Sequence, residues 1–102
     1  HEHDDEVGSF CIEKDGDLDE KKLQAWLRKL LGEKGVDIFR MKGFLSIAGA
    51  PDRFVFQGVH MLFSGKPDRP WGSLPRKNQL VFIGRNLNKQ EMLEGFEACV
   101  VK

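Results

Sequence analysis

Between residues 17 and 35 a stripe of apolar side chains, Leu23, Trp26, Leu27, Leu30 and Leu31, recurs at the spacing of one helix face, while Lys21, Lys22, Gln24, Arg28 and Lys29 take the other side. A helix of this kind must bury its stripe against something. On both sides of it the periodicity changes from helical to alternating. Upstream, Val7 to Lys14 puts Phe10 and Ile12 on one face and Val7, Ser9 and Cys11 on the other. Downstream, Val36–Ile47, Arg53–Phe63 and Gln79–Arg85 read as strands, and Asn88 opens a second amphipathic helix with Met92, Phe96 and Cys99 or Val100 as its stripe. This order predicts an α+β fold, a four-stranded, mostly antiparallel sheet with two helices packed on one face. If another strand lies between the first two, the unit is a split βαβ, ferredoxin-like in character, with a right-handed first crossover.

Local signals refine this reading. Asp17 is the expected cap of the first helix, with Glu20 completing a capping box, and Gly32–Gly35 is the expected stop, with a glycine in the left-handed conformation. On the second strand, Phe39 and Met41 should alternate against Ile38, Arg40 and Lys42, with Gly43 as a bend or bulge. Arg53–Phe63 is apolar on both faces, as central strands are. Residues 64–78 hold three of the four prolines and are expected to form a long loop, the kind that is usually functional or disordered.

Composition removes several function classes. Sixteen basic residues balance sixteen acidic ones, so no domain-wide basic footprint for nucleic acid exists. No apolar run approaches the roughly 18–20 residues of a membrane span. Two cysteines, Cys11 and Cys99, are too few for a disulfide scaffold and lack the Cys-x-x-Cys step of zinc fingers; both are expected to be reduced core thiols. Residues 1–6, His-Glu-His-Asp-Asp-Glu, contain no apolar side chain and read as the acidic, His-bearing end of a linker, with residues 7–102 as the single domain. Beginning at His1, without a signal or transit segment, the chain reads as a domain of a longer protein.

Four groups of residues could carry chemistry. His1 and His3, with Glu2, Asp4 and Asp5, offer nitrogen and oxygen ligands to a divalent ion, and two imidazoles supply at most half of a tetrahedral shell. Weak, pH-sensitive zinc or cobalt binding is the expectation there, against a plain solubilising linker. His60 falls on the Phe54/Phe56 face by strict alternation, unless a bulge at Gly58 turns it outward. Arg40, Lys42, Arg53 and Arg85 could share one sheet face as a local cationic patch. Trp71, between Pro70 and Gly72, is either a lid on the core or a contact anchor. Gly65-Lys66 fails as a phosphate loop, because position 60 is His and Pro67 stands where the loop needs Ser or Thr. The Gly-x-Gly-x-x-Gly, Gly-x-Ser-x-Gly and His-Glu-x-x-His patterns are also missing.

Arg40-Met-Lys42-Gly43 on the second strand, Phe56-Gln57-Gly58-Val59-His60 on the third, the loop Trp71, and Leu80-Val-Phe-Ile-Gly84-Arg85-Asn86-Leu87 form an ordered series. This series resembles the C-terminal domain of the CobW family, the cobalamin-synthesis-protein group of metal-handling GTPases. The resemblance covers about residues 7–100, and its longer blocks look like the eukaryotic, plant-type branch. The segment with His1 and His3 is similar to the end of the family's His-rich inter-domain stretch.

The resemblance implies a GTPase domain on the N-terminal side, carrying the Walker loop and a Cys-x-Cys-Cys motif, that delivers zinc or cobalt to client metalloproteins. For this chain it implies a non-catalytic accessory domain. Its candidate contact residues are Arg40, Lys42, Gly43, Gln57, Gly58, His60, Trp71, Gly84 and Arg85, and its partners are the parent's GTPase domain and a client, inside the cell in the cytoplasm or an organelle. The alternative is a small ferredoxin-like ligand-binding or enzymatic domain with His60, Arg40 and Lys42 in one pocket. A third reading, an RNA-binding sheet, needs Phe rings on the open face.

Overall fold

A computed structural model describes residues 7–59 and 62–101. The elements run β1 (Val7–Asp15), α1 (Glu20–Lys34), a short 3-10 turn (Gly35–Asp37), β2 (Ile38–Ser46), β3 (Asp52–Val59), β4 (Leu62–Pro70), β5 (Lys77–Arg85) and α2 (Lys89–Glu97). They build one five-stranded sheet in the order β1-β5-β2-β3-β4, every neighbouring pair antiparallel. Since β1 and β2 are both antiparallel to β5, they run parallel to each other with β5 between them. That is the split βαβ arrangement.

Both helices cover the same face. Leu23, Leu27 and Leu30 of α1 and Met92 and Phe96 of α2 join Ile12, Met41, Leu45, Leu80 and Phe82 of the sheet in a single buried cluster. Trp26 meets Phe96 edge-on at 5.6 Å, which ties the helices together. Phe82 and Phe96 are fully buried, and each such side chain stabilises the fold by roughly 1.5–3 kcal/mol. No helix is long and apolar enough to cross a membrane among the described residues.

The extra strand comes from a reversal inside the apolar run 53–63. β3 ends at Val59 and β4 begins at Leu62, paired across the hairpin. β4 then continues to Pro70, so most of the expected long loop is strand and only residues 71–76 connect it to β5. Pro67 and Pro70 are tolerated because β4 is the sheet's last strand, where one side needs no ladder donors.

Four local expectations are corrected. The cap of α1 is Asp19, whose carboxylate accepts from Lys22 N at 3.0 Å. Leu18, in front of it, is held extended by bridges to Ile47 and Val100, which leaves Asp17 outside the helix. Gly35 is right-handed, with φ −54°, because α1 passes directly into the 3-10 turn instead of ending on a left-handed glycine. On β2 the register against β5 shifts between Ile38 and Arg40, so Ile38 and Met41 are both buried and Phe39 is not on their side by simple alternation. Neither Gly43 nor Gly58 is a bulge, since each pairs in regular register with Phe56 and Met41 respectively. Gly43 is required for another reason: a Cβ there would lie 1.9 Å from the carbonyl oxygen of Gln79 on β5. Asn88 caps α2 as read, accepting from Glu91 N at 2.9 Å.

Candidate functional site

Strand alternation decides which side chains leave the core. On β2 they are Arg40, Lys42 and Phe44, on β3 Arg53, Val55 and Gln57, and on β5 Lys77, Gln79, Val81, Ile83 and Arg85. This face lies opposite the helices. A shallow groove of about 390 Å³ runs along it, floored by Val81, Ile83 and Phe44 with Gln79, and walled by Arg40 and Lys42.

The expected contact residues divide between this face and the framework below it. Arg40 and Lys42 are exposed beside the groove. Gln57 is exposed and pairs in register with Lys42. Arg85 donates from Nε to Asp37 Oδ1 at 3.1 Å, and its guanidinium lies over the Phe39 ring at 5.7 Å. Arg53 donates from Nε to Asp68 Oδ2 at 3.1 Å and covers Phe44 at 5.0 Å. Gly43 and Gly84 are backbone requirements. Gly58 is buried against Met41, and a Cβ at Gly84 would stand 2.1 Å from the Asp37 carbonyl oxygen.

Trp71 is 6 % exposed, so it is no free-standing anchor. Its backbone N–H donates to Pro51 O at 3.0 Å, and its ring meets Phe44 edge-on at 6.4 Å. The indole N–H is buried without a hydrogen-bond partner among the described residues. His60 and the set His1, Glu2, His3, Asp4 and Asp5 lie outside the described residues.

Among the described residues, the groove is lined by two cations, Gln79 and apolar side chains, with neither a histidine nor a carboxylate. Gly65-Lys66 lies in the edge strand β4, with the Cβ direction of Gly65 filled by Phe56, and a strand cannot wrap phosphate in the way of a strand-to-helix loop. No cluster of three or more His, Cys, Asp or Glu side chains suited to a metal occurs among the described residues. Cys11 is only half-buried, on β1 opposite Val81, and so is not a core thiol as expected. Cys99 is buried, and burial pushes its thiol pKa up; Lys22 pulls against this and Asp19 adds to it.

A buried polar cluster at the far end of the sheet was not legible in advance. Asn78 Oδ1 accepts from Ser46 N at 2.7 Å, and its Nδ2 donates to Lys14 O at 3.1 Å and Gly16 O at 2.9 Å. Ser46 Oγ donates to Asp17 Oδ1 at 2.6 Å, and Arg76 Nη2 donates to Ala50 O at 2.6 Å. The cluster spends its hydrogen bonds on tying β1, β2 and β5 together. No pattern around Asn78 marked it, because it sat in what read as loop.

Comparison with known proteins places this architecture. Residues 7–100 match the model of the cobalamin synthesis protein cobW C-terminal domain. The chain is 36% identical over 91 residues to the zinc chaperone YjiA of Escherichia coli (strain K12), covering 89% of this chain and 29% of the relative. It is 41% identical over 69 residues to the zinc chaperone CobW of Pseudomonas aeruginosa, covering 65% of this chain and 18% of that protein. The crystal structure of Zn(II)-bound YjiA GTPase from E. coli superposes with a TM-score of 0.89 at 35% identity, over 93% of this chain and 30% of the YjiA chain. This chain therefore spans less than a third of the length of each of these relatives.

Proposed function

Because the chain belongs to the CobW C-terminal domain family, we propose that it is the accessory domain of a GTP-dependent metallochaperone that hands zinc or cobalt to client metalloproteins inside the cell. The observation that supports this most is the match of residues 7–100 to one domain of proteins named as zinc chaperones, on the same fold. The nucleotide chemistry belongs to the parent's GTPase domain. Gly65-Lys66 is strand, and the open groove presents cations and aliphatic side chains suited to contact. The domain's part is to position: it meets the GTPase domain or the client while the metal is cargo. Residues 1–5 add weak capture of that cargo through His1 and His3, helped by Glu2, Asp4 and Asp5.

Calorimetry of this chain with GTP and magnesium tests the division of labour. No binding heat is expected, and micromolar affinity would overturn the reading.

A further inference from the structure

The open face has a charge pattern that the net charge of zero hides. On its three central strands, β2, β3 and β5, the outward positions carry Arg40, Lys42, Arg53, Lys77 and Arg85 and no carboxylate. The acids of this side, Glu13 and Asp15 on β1 and Asp68 on β4, stand toward the sheet's edges. Arg53 and Arg85 are engaged by Asp68 and Asp37. Arg40 and Lys42 make no ion pair among the described residues, and they stand two positions apart on one strand, roughly 7 Å along it. Between them and β1 lie Val81 and Ile83, 38% and 36% exposed, two aliphatic side chains adjoining on one strand face.

The same face also shows what it does not suit. Single-stranded nucleic acid is held by bases stacked on open aromatic rings. Phe44 has a guanidinium over one face and the edge of Trp71 beside it, and Phe39 lies under Arg85. The most exposed apolar side chains beside Arg40 and Lys42 are the aliphatic Val81 and Ile83, which offer a base no stacking partner, and Phe44 is already covered by Arg53.

We propose that this face docks an acidic polypeptide segment whose carboxylates meet Arg40 and Lys42 and whose aliphatic side chains cover Val81 and Ile83. An extended segment places alternate side chains about 7 Å apart, which matches the spacing of the two cations. The proposal adds a partner chemistry to the family reading, and its test reads this chain alone.

The probe is a synthetic peptide of Glu-Glu-Leu repeats, titrated into the labelled chain and followed by amide NMR shifts. The expected shifts cluster at residues 40–44 and 79–83. Arg40→Glu/Lys42→Glu weakens binding by about ten-fold or more, and raising the salt to about 0.5 M does the same. Ile83→Ser weakens binding while leaving its salt dependence unchanged. Both variants alter exposed positions, so their unperturbed amide spectra serve as the folding control. Shifts confined to other surfaces, equal binding by the charge-reversed variant, or a Lys-Lys-Leu peptide binding as well would overturn the proposal. So would an oligouridylate that perturbs residues 40–44 and 79–83 at lower concentration than the peptide, which would make the face a nucleic-acid site.

Discussion

Replacing Asn78 with Leu should unlock one end of the sheet. Its amide makes three hydrogen bonds from a fully buried position, to Ser46 N, Lys14 O and Gly16 O. Each is worth about 0.5–1.5 kcal/mol net, and a buried Ser46 N–H left without an acceptor adds a desolvation penalty of about 1–3 kcal/mol. Leucine has the branching of asparagine and is the larger side chain, so no cavity forms. The expected loss is about 3–4 kcal/mol, a large part of the roughly 5–15 kcal/mol that holds a domain of this kind folded. At about 4–8 °C per kcal/mol for a domain near this size, the melting temperature should fall by about 12–32 °C. Urea unfolding followed by the fluorescence of Trp26 and Trp71 measures it directly. Asn78→Asp separates the partners, because it keeps the acceptor for Ser46 N but sets a negative charge against two carbonyl oxygens. That variant should be destabilised at neutral pH and recover as the pH is lowered and the carboxyl protonates. A loss below about 1 kcal/mol for Asn78→Leu would refute the reasoning, since less than the unsatisfied donor alone would have been felt.

Other outcomes follow from the same geometry. Gly43→Ala should cost about 2–3 kcal/mol by forcing β2 and β5 apart, while Gly8→Ala, with nothing within 4 Å, should change stability by less than about 0.5 kcal/mol in thermal melts. A thiol reagent should modify Cys11 well before Cys99 under native conditions. The Cys99 thiol pKa is raised in the folded chain, so its stabilising contribution is complete below the ordinary thiol range near about 8.5 and is lost as pH rises through the folded value. The stability gap between the parent chain and Cys99→Ala should therefore narrow in alkaline urea titrations. Zinc added to the full chain should bind weakly at about pH 7.5 and less at about pH 5.5, with His1→Ala/His3→Ala abolishing the heat; binding unchanged by the pair would move the site elsewhere.

The helices were the most legible part. The stripe of α1 and the Asn88 cap of α2 each repeat a local signal that tertiary packing only had to accept. The β3–β4 hairpin was hidden because no Asn-Gly or Gly-Gly pair stands between Val59 and Leu62, and an apolar run without turn chemistry reads as one long strand. The prolines of β4 then argued for loop, since proline excludes a central strand but not an edge. The shift at Ile38/Arg40 defeated simple alternation on β2, although Arg40 and Lys42 came out on the expected outer side. The Asn78 cluster depends on residues 64 and 62 positions apart in sequence, and a lone Asn beside a proline-rich stretch carries no trace of such partners.

The proposed accessory role is tested most directly by comparing GTP hydrolysis with zinc transfer in the GTPase-linked protein that the proposal implies, intact and with residues 7–100 removed. Hydrolysis should persist within about two- to three-fold, and delivery of zinc to a client apo-enzyme should fall by about ten-fold or more, a loss of some 1.4 kcal/mol of coupling. Loss of GTP binding on removing the domain would place part of the nucleotide site in this chain. Undiminished zinc delivery would leave the domain without the role assigned to it, and either result would contradict the account.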